Sequence, residues 1–370
     1  MMSSIFNNIY KNKKILITGH TGFKGSWLAL WLRELGAEVA GYSLLPETSP
    51  NLFDILDLKN SVRHVTGDIR DIKNLKELID DFKPEIIFHM AAQAFVLKSY
   101  QEPLYTYETN IIGTANLFEA ARGVDSIRAI LNITTDKCYD NKERLNGYKE
   151  DDPLGGYDPY SSSKAGSELV TATYRNSFFN PTEYGLAHKT VISSVRAGNV
   201  IGGGDWSQDR LIPDCIRALT SQRDIVLRNP DSIRPWQYVL EPLSGYLWLG
   251  ALMFDDGISY WQAWNFGPCE NDSKTVGEIV TDILDLWGSG SYTVRKNKSF
   301  HEAAILRLNI EKASSFLNWK PVYNIDDALS ETINWYKEYY YSKNNIINHS
   351  VACINNYVDK AKGLGLDWSL

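Results

Sequence analysis

Cysteine and histidine are scarce in this chain, and neither is arranged to bind a metal. The four cysteines among 370 residues form no CxxC pair, and the six histidines do not cluster. Structural zinc sites need short cysteine spacings or mixed cysteine–histidine groups, and small disulfide-linked domains need dense cysteine pairs. The sequence therefore predicts neither a metal site nor a disulfide framework.

Long apolar runs and blocks of positive charge are missing as well. The most apolar stretch, 243–254, is shorter than the roughly 20 residues that a membrane-spanning helix needs. Residues 1–14 hold no apolar segment of signal-peptide length. The net charge of −7 is spread along the chain, which does not favour nucleic acid as a partner. We expect a cytoplasmic protein that binds neither a membrane nor a nucleic acid, although local cations can still bind an anionic substrate.

The first 200 residues contain a regular alternation of apolar and amphipathic segments. Predicted strands cover 14–18, 38–42, 62–66, 85–89, 129–134 and 190–195, and predicted helices cover 22–35, 72–82, 106–122 and 160–178. Continuous apolar strands that alternate with helices are typical of a parallel sheet with helices on both faces. The sequence therefore predicts an α/β fold with a Rossmann-type, doubly wound parallel sheet.

The regular alternation of strands and helices ends after Gly198. Three consecutive glycines at 202–204 and several prolines interrupt the alternation, which indicates a smaller and less regular unit. The predicted units are a Rossmann domain over 1–197 with part of 238–268, a smaller C-terminal substrate-binding domain over 198–340, and a tail over 341–370. The tail is polar, and we expect one short helix in it, near 351–362.

The turn between the first predicted strand and helix carries regularly spaced glycines. Gly19, Gly22 and Gly25 form a Gly-x-x-Gly-x-x-Gly pattern. In a strand–turn–helix unit, such glycines allow a tight turn, a close approach of backbone to a pyrophosphate, and close helix–strand packing. The helix start adds N–H donors and a positive dipole end. The pattern predicts a dinucleotide site, and a glycine turn without a ligand is the alternative.

The residues alone leave the identity of the dinucleotide open. The second predicted strand ends in Gly41-Tyr42-Ser43-Leu44. This stretch lacks the acidic residue that holds the adenosine ribose of NAD, and it lacks the arginine that accommodates NADP. Lys24, within the glycine turn, is the nearest cation, and a solvated lysine at a helix start is the alternative reading of it.

Tyr160 and Lys164 stand four residues apart at the start of a predicted helix, so they share one face. A nearby ammonium favours tyrosinate and can lower a tyrosine pKa from about 10 toward neutral pH. Such a tyrosine can take the proton of an alcohol while hydride leaves to a nicotinamide ring. The pair predicts redox chemistry on a hydroxyl group, and an exposed tyrosine–lysine pair without a function is the alternative.

With these motifs, residues 13–340 resemble the extended short-chain dehydrogenase/reductase superfamily. Further matching segments are 67–71, 91–93 and 109–114. The resemblance implies NAD as the cofactor and a homodimer formed through a four-helix bundle by the helices at 106–122 and 160–178. The cofactor-binding residues that it implies are Gly19, Gly22, Phe23, Lys24, Gly25, Asp68, Ile69, Ala91, Ala92, Gln93, Thr109, Tyr160 and Lys164.

The segment after the fifth predicted strand distinguishes among the reactions of this superfamily. Active sites of α/β proteins lie at the carboxyl ends of strands, where Thr135, Asp136 and Lys137 stand. Nucleotide-sugar 4,6-dehydratases have a threonine, an aspartate and usually a glutamate in these places. Lysine in the third place resembles the branch that acts on CDP-glucose. The segments that also resemble this branch are 22–27, 152–160 and 233–238.

The resemblance implies dehydration of CDP-glucose to CDP-4-keto-6-deoxyglucose, a step toward the deoxysugars of surface polysaccharides such as the O-antigen of lipopolysaccharide. Oxidation at C4 makes the C5 proton acidic, water leaves across C5 and C6, and the hydride returns to C6. In this scheme Lys137 is the base, Asp136 is the acid, and Thr135 hydrogen-bonds the C4 oxygen. Two alternatives stay open: a coupled pair whose roles are less separable, and a strand-end turn with solvated charges.

A nucleoside diphosphate sugar needs cations for its phosphates, and arginine can bind a phosphate through two parallel hydrogen bonds. The resemblance implies that Asn199, Arg210, Leu211 and Arg234 bind the substrate. An ordinary surface ion pair is the alternative for Arg210. The choice of CDP-glucose over other nucleotide sugars rests on the resemblance alone.

Two other functions are compatible with the sequence. A nucleotide-sugar epimerase needs Tyr160 and Lys164 but not an acid–base pair at Asp136 and Lys137. A non-catalytic Rossmann-fold sensor would bind the dinucleotide and a partner without turnover. The intact tyrosine–lysine pair argues against the sensor.

Overall fold

The structure is a computed structural model that describes residues 4–269, 274–295, 306–342 and 345–370. Its strands are β1 (Lys14–Thr18), β2 (Glu38–Ser43), β3 (Arg63–Thr66), β4 (Ile86–His89), β5 (Ala129–Ile133), β6 (Val191–Ala197), β7 (Asn199–Ile201), β8 (Ile225–Leu227), β9 (Ile233–Arg234), β10 (Trp236–Tyr238), β11 (Ala263–Phe266), β12 (Lys274–Thr275) and β13 (Tyr292–Val294). Its α-helices are α1 (Phe23–Glu34), α2 (Leu52–Ile55), α3 (Leu58–Ser61), α4 (Ile72–Phe82), α5 (Val96–Gln101), α6 (Pro103–Tyr107), α7 (Gly113–Ala121), α8 (Pro159–Ser177), α9 (Leu211–Thr220), α10 (Leu240–Asp255), α11 (Val276–Trp287), α12 (Glu311–Phe316), α13 (Ile325–Tyr341) and α14 (Ile346–Gly363).

Seven of the strands form one parallel sheet in the order β11-β6-β5-β4-β1-β2-β3. The strand order reverses beside β1, since the chain adds β2 and β3 on one side of it and β4, β5 and β6 on the other. In such sheets the point of reversal opens a crevice at the carboxyl ends of the strands, where ligands bind. The predicted doubly wound parallel sheet is confirmed, and it defines where a site must lie.

The two faces of this sheet have separate cores, because successive side chains along a strand point in opposite directions. Ile15 and Leu131 lie in the core that α1 and α10 cover. Leu16 and Ile130 lie in the core that α4 and α7 cover. Burial on both faces explains why these strands are apolar at nearly every position.

The two long helices expected at 106–122 and 160–178 are both present. At the start of α8, the Asp158 side chain accepts a hydrogen bond from the backbone nitrogen of Ser161 (2.9 Å), which caps the helix. The other helix runs as α6, a π-helical turn over Glu108–Ile112, and α7. Such turns are frequent at functional sites, and the spacing of apolar residues does not signal them.

Part of the chain beyond Gly198 joins the main sheet. Strand β11 pairs in parallel with β6 at the edge of the sheet, and α10 buries Leu243 and Leu247 in one of its cores. The smaller strands pair as β7 with β10, β8 with β13, and β9 with β12. The domain boundaries at 197 and 340 stay a prediction.

The C-terminal tail is packed into the molecule. The short helix expected near 351–362 is part of the longer α14, which ends at Gly363. Beyond it, the fully buried Trp368 stacks on Phe6 and on Tyr357, with ring centroids 5.2 and 5.8 Å apart. The helix is longer than expected because α14 has an apolar face among its polar residues, with Cys353, Ile354, Tyr357, Val358 and Ala361 buried.

Across the described ranges, no helix is both long enough and apolar enough to cross a bilayer. The same ranges hold no group of three or more histidine, cysteine or acidic side chains that could bind a metal ion. Cys138, Cys215 and Cys353 are buried free thiols.

Candidate active site

The glycine turn lies between β1 and α1, at the crevice. Gly19 has a φ of +79°, and a Cβ atom there would lie 2.7 Å from the backbone nitrogen of Ala91. A Cβ on Gly25 would lie 2.2 Å from the carbonyl oxygen of Gly19, so α1 packs against the turn. Gly22 is exposed. A Cβ atom on Gly22 would lie 3.4 Å from the carbonyl oxygen of Gly19, which is an ordinary contact distance. This open, side-chain-free backbone at a helix start fits a pyrophosphate.

The end of β2 and the neighbouring glycine turn carry hydroxyl groups in place of a carboxylate. The Thr21 hydroxyl lies 2.8 Å from Ser43 Oγ and donates to the carbonyl oxygen of Leu44 at 2.9 Å. Hydroxyl groups can bind the ribose of an adenosine, although without the discrimination that an acidic residue gives. The geometry here is compatible with a dinucleotide and does not select between NAD and NADP.

Asp68 lies just beyond β3, next to the end of β2. The Tyr42 hydroxyl donates to the Asp68 carbonyl oxygen at 3.0 Å, which ties the two strand ends together. The Asp68 carboxylate binds Arg70 at 2.6 Å, and these hydrogen bonds hold the pKa of Asp68 below its usual value. Ile69 is buried, and a Cβ on Gly113 would lie 2.7 Å from its Cγ2 atom. Ile69 therefore packs against the start of α7.

The loop after β4 is shaped by amide hydrogen bonds. Gln93 Oε1 accepts from the backbone nitrogen of Phe95 at 2.6 Å, and Gln93 Nε2 donates to Thr106 Oγ1 at 2.9 Å. Asn110, on the π-helical turn, binds both the backbone nitrogen (2.8 Å) and the backbone oxygen (3.0 Å) of Gln93. Gln93 thus supports its own loop, and Asn110 is a supporting residue that the sequence did not single out. Other predicted cofactor residues are the partly exposed Phe23, Ala91 and Ala92 and the buried Thr109.

Tyr160 and Lys164 are buried near the start of α8. Lys164 Nζ donates to the carbonyl oxygen of Ile133 at the end of β5 (3.0 Å). Burial lowers the pKa of Lys164 to about 8, and the Glu168 carboxylate opposes this shift. Burial raises the pKa of Tyr160 to about 12, although a hydrogen bond with Thr135 favours the phenolate. The expectation of a lowered tyrosine pKa is wrong for this structure, because the loss of solvent outweighs the neighbouring groups.

Thr135, Asp136 and Lys137 lie at the end of β5, where Asp136–Cys138 form a single 3-10 turn. The Thr135 hydroxyl donates to Asp136 Oδ1 at 2.9 Å and also hydrogen-bonds Tyr160. Lys137 Nζ lies 3.7 Å from Asp136 Oδ1, and the two side chains are 35% and 3% exposed. A Cβ on Gly198 would lie 3.1 Å from Asp136 Oδ2, so this carboxylate is packed against the chain before β7. A turn with two solvated charges is excluded because Asp136 is buried.

Lys24, Lys164 and Arg210 bring three positive charges together from different elements. Burial, with help from the charges of Lys164 and Arg210, lowers the pKa of Lys24 to about 7. Lys24 is half-buried, so it is not a solvated lysine. Arg210 forms a 3.0 Å ion pair with the buried Asp205, and its guanidinium lies 5.3 Å from the ring centroid of Phe95. Like charges gathered in a partly buried cleft favour an anionic occupant.

The remaining predicted substrate residues lie on neighbouring short elements. Asn199 begins β7, which pairs in parallel with β10. Arg234 ends β9, two residues before β10 begins. Gly198 packs against Asp136, so the start of β7 lies beside this part of the cleft. Leu211 is the first residue of α9.

Glu168 and Arg196 form an ion pair that the sequence did not single out. Arg196 Nε lies 2.9 Å from Glu168 Oε1, and each side chain is only 3% exposed. Glu168 follows Lys164 by one turn of α8, and Arg196 lies in β6. An arginine inside an otherwise buried strand needs an acidic partner. That arginine was the available signal, but the sequence does not tell which acid pairs with it.

The family described as GDP-mannose 4,6 dehydratase matches residues 16–332 of this chain. The chain belongs to that family. A curated CDP-glucose 4,6-dehydratase from Salmonella typhimurium is 49% identical to this family member over 334 residues, which cover 90% of this chain and 93% of that protein. The predicted membership among the nucleotide-sugar dehydratases is confirmed.

Solved structures of related proteins share the fold of this dehydratase-family member. A dTDP-glucose 4,6-dehydratase from Streptomyces venezuelae, solved with NAD bound, matches with 25% identity and a TM-score of 0.74 over 88% of this chain and 97% of that one. An epimerase from Methanothermobacter thermautotrophicus matches with 22% identity and a TM-score of 0.76 over 95% of this chain and 98% of that one. Because dehydratases and epimerases share this fold, the reaction must be argued from the site.

Proposed function

We propose that this member of the family is an NAD-dependent CDP-glucose 4,6-dehydratase, a lyase that forms CDP-4-keto-6-deoxyglucose. The observation that carries the proposal is the position of Thr135, whose hydroxyl hydrogen-bonds both Tyr160 and Asp136. A group suited to oxidising C4 and a group suited to eliminating water therefore meet at one hydroxyl. The Salmonella relative supports the choice of reaction and of nucleotide.

NAD supplies, when bound, the hydride acceptor for C4 and the hydride donor for C6. Gly19, Gly22 and Gly25 let its pyrophosphate approach the start of α1, and the half-buried Lys24 adds positive charge there. Asp68 lies near the adenosine end, where its carbonyl oxygen accepts a hydrogen bond from the Tyr42 hydroxyl of β2. The other contacts in this proposal are Phe23, Ile69, Ala91, Ala92, Gln93, Thr109, Tyr160 and Lys164.

Tyr160 takes the proton of the C4 hydroxyl in the first step. The phenolate is the reactive form, but burial holds the pKa of Tyr160 at about 12, so nearby positive charge must favour proton loss. The Arg210 guanidinium supplies such a charge and lowers the pKa of Tyr160. In this proposal the Lys164 ammonium, one turn further along α8, adds to it. The Thr135 hydroxyl donates its one hydrogen to Asp136 in this structure, and it stabilises the phenolate when that hydrogen turns to Tyr160.

Asp136 and Lys137 turn this oxidation into a dehydration. Once C4 is a ketone the C5 proton is acidic, and the half-exposed Lys137 removes it while the buried Asp136 protonates the departing C6 hydroxyl. The separation of 3.7 Å between Nζ and Oδ1 suits groups that act on adjacent carbons, and it also lets them share a proton as a coupled pair. Because the C4 hydride is returned to C6, there is no net redox change, and the enzyme is a lyase.

The diphosphate of the substrate is held by cations from the C-terminal half of the chain. Arg234 and Arg210 bind the phosphates, and the buried Asp205 fixes the direction of the Arg210 guanidinium. Asn199 and Leu211 line the nucleotide side of the same cleft. The boundaries of the two domains, 1–197 and 198–340, follow this division between cofactor and substrate.

We also propose a homodimer in the cytoplasm. Apolar side chains are exposed on the two long helices expected to form a four-helix bundle, with Leu104 and Ile112 on one helix and Leu169 on the other. Exposed apolar residues on adjoining helices are what a buried helix–helix contact requires. Cell fractionation tests the location, and a monomer by light scattering at micromolar concentration would refute the dimer.

The function is tested by incubating the purified protein with NAD and separately with CDP-, UDP-, dTDP- and GDP-glucose, followed by mass spectrometry. We expect the loss of one water from CDP-glucose alone. No mass change with any of the four sugars would contradict the dehydratase. An isomer of unchanged mass would support an epimerase in its place.

A further inference from the structure

In the buried ion pair of Glu168 and Arg196, each carboxylate oxygen of Glu168 accepts two hydrogen bonds. Glu168 Oε1 accepts from Arg196 Nε at 2.9 Å and from the Thr134 hydroxyl. Glu168 Oε2 accepts from Arg196 Nη2 at 2.9 Å and from Ser194 Oγ at 2.6 Å. Four donors thus surround one carboxylate, and they hold α8 to the carboxyl ends of β5 and β6.

The same ion pair holds both ends of the segment that carries the proposed acid and base. Thr134, immediately before the segment, donates to Glu168. Tyr139, immediately after it, accepts from Arg196 Nη1 at 2.7 Å and donates to Asn265 Oδ1 at 2.8 Å. Residues 135–138 are therefore fastened at each end to one member of the pair.

The pair also stands next to the oxidation machinery. Glu168 lies one helical turn from Lys164 on α8, and its charge raises the pKa of the Lys164 ammonium. Burying two charges carries a large desolvation cost, and a well-packed apolar pair often serves the packing of a helix on a strand equally well. The hydrogen bonds of this pair go instead to residues that flank the site, which indicates a role in its geometry.

We propose that Glu168 and Arg196 are positioning residues that keep the turn of Asp136 and Lys137 in register with α8. Because of this coupling, a sugar oxidised at C4 already has its C5 proton within reach of the base. This inference rests on the proposed function. It implies that loosening the Tyr139 end slows the elimination far more than the oxidation. Asp136 and Lys137 lie on the loosened turn, whereas Tyr160 and Lys164 are carried by the α8 backbone and Thr135 stands at the other end of the segment.

Tyr139→Phe tests this coupling, because it removes the hydroxyl that accepts from Arg196 and keeps the ring. The holoenzyme is mixed rapidly with CDP-glucose in a single turnover, and the near-ultraviolet absorbance of reduced nicotinamide is followed. Its rise reports the oxidation at C4, and its decay reports the elimination with hydride return to C6. We expect a rise within about twofold of the wild type and a decay slowed about tenfold, as for the loss of one orienting hydrogen bond.

Tyr148→Phe is the matched control. Tyr148 is buried and stacks on Tyr139 with ring centroids 5.1 Å apart, but its hydroxyl binds Asn141 and the backbone of Lys142, not the ion pair. Both phases should keep their wild-type rates in this variant. A slowed decay in Tyr148→Phe equal to that in Tyr139→Phe would overturn the inference, since any loss of a buried hydroxyl would then suffice.

The other end of the segment gives a second and independent test. Thr134→Val removes the donor to Glu168, and Thr134→Ser keeps it; we expect a slow decay in the first variant and wild-type rates in the second. If Tyr139→Phe does not fold, the two Thr134 variants test the positioning role in its place. In Tyr139→Phe, the positioning role would be overturned if both phases slowed equally or if neither slowed. In Thr134→Val, it would be overturned by a decay as fast as that of Thr134→Ser. If the wild-type enzyme showed neither the absorbance change of reduced nicotinamide nor any product, the proposed function itself would be overturned.

Discussion

Lys137 Nζ lies 3.7 Å from Asp136 Oδ1, with the carboxylate buried and the amine half exposed at the end of β5. In the proposed mechanism these consecutive residues act as proton acceptor and proton donor, next to Tyr160, which serves the hydride step. An epimerase with the same tyrosine and lysine has no use for this pair. The relationship between these two side chains therefore carries the distinction between dehydration and epimerisation.

Substituting either member of the pair is expected to stop product formation. Lys137→Ala removes the base and Asp136→Asn removes the acid, and each should lower kcat by about 10²–10⁴-fold, the usual contribution of a positioned acid or base. Product is quantified by mass spectrometry and substrate binding by calorimetry, which should change little. Lys142→Ala is the control, since Lys142 pairs with Asp140 at 2.9 Å on the surface a few residues away. Near-normal turnover in Lys137→Ala would contradict the mechanism.

The close contact within the glycine turn predicts a loss of cofactor affinity on Gly25→Ala. The added Cβ would stand 2.2 Å from the Gly19 carbonyl oxygen, which is backbone and cannot rotate away. The start of α1 must then move from the turn, and we expect NAD binding to weaken by about tenfold or more, measured by calorimetry. Gly363→Ala, at a helical glycine with open space around it, should bind NAD as the wild type does. Equal affinity in Gly25→Ala would show that the turn does not need this glycine.

Glu241 makes the stability of the fold depend on pH. Its buried carboxylate accepts hydrogen bonds from the backbone nitrogens of Val322 and Tyr323 and from the Tyr357 hydroxyl, and burial raises the pKa of Glu241 to about 7. An acid whose pKa is higher in the folded than in the unfolded state stabilises the fold most at low pH. This contribution falls as the pH rises from about 4.5, where the unfolded chain ionises, to about 7.

The variant Glu241→Gln should abolish that dependence, because its amide keeps the shape of the group without the charge. Relative to Glu241→Gln, the wild type should lose on the order of 2–3 kcal/mol of unfolding free energy between about pH 5 and pH 8. Urea denaturation at the two pH values gives both free energies. If the two proteins differed in unfolding free energy by the same amount at both pH values, Glu241 would not be a buried acid that keeps its proton.

A charge on the exposed apolar surface of α8 is expected to prevent dimerisation. Leu169 is 60% exposed, and Leu169→Glu would place a carboxylate within the proposed four-helix bundle, where it would be buried without a partner. Light scattering should give the mass of one chain for this variant and of two chains for the wild type. Leu186→Glu, at a side chain that is 89% exposed and lies outside these helices, should remain dimeric. A wild type that is already monomeric would refute the proposed assembly.

Features that depend on local patterns could be predicted from the sequence. The strands of the sheet are apolar at nearly every position because they are buried on both faces. Gly19 and Gly25 stand where backbone must approach backbone, and Gly22 leaves the helix start open. Tyr160 and Lys164 share a face because they lie one helical turn apart. These features need no knowledge of the rest of the fold.

Features that depend on contacts between distant segments could not be predicted from the sequence. Arg196 inside β6 signals a buried partner, but only the fold brings Glu168 to it. The raised pKa of Tyr160 follows from burial by other elements, which a tyrosine–lysine spacing does not reveal. The role of Asn110 in holding Gln93 likewise depends on the π-helical turn, which apolar spacing does not signal.

The central claim is tested most directly by converting CDP-glucose that carries deuterium at C4, with the holoenzyme in ordinary water. If Tyr160 serves the oxidation and Asp136 with Lys137 the elimination, the product will have lost one water and will carry the deuterium at C6. Magnetic resonance and mass spectrometry locate the label. Deuterium found at C4 of a product with unchanged mass, or substrate recovered intact, would contradict the account.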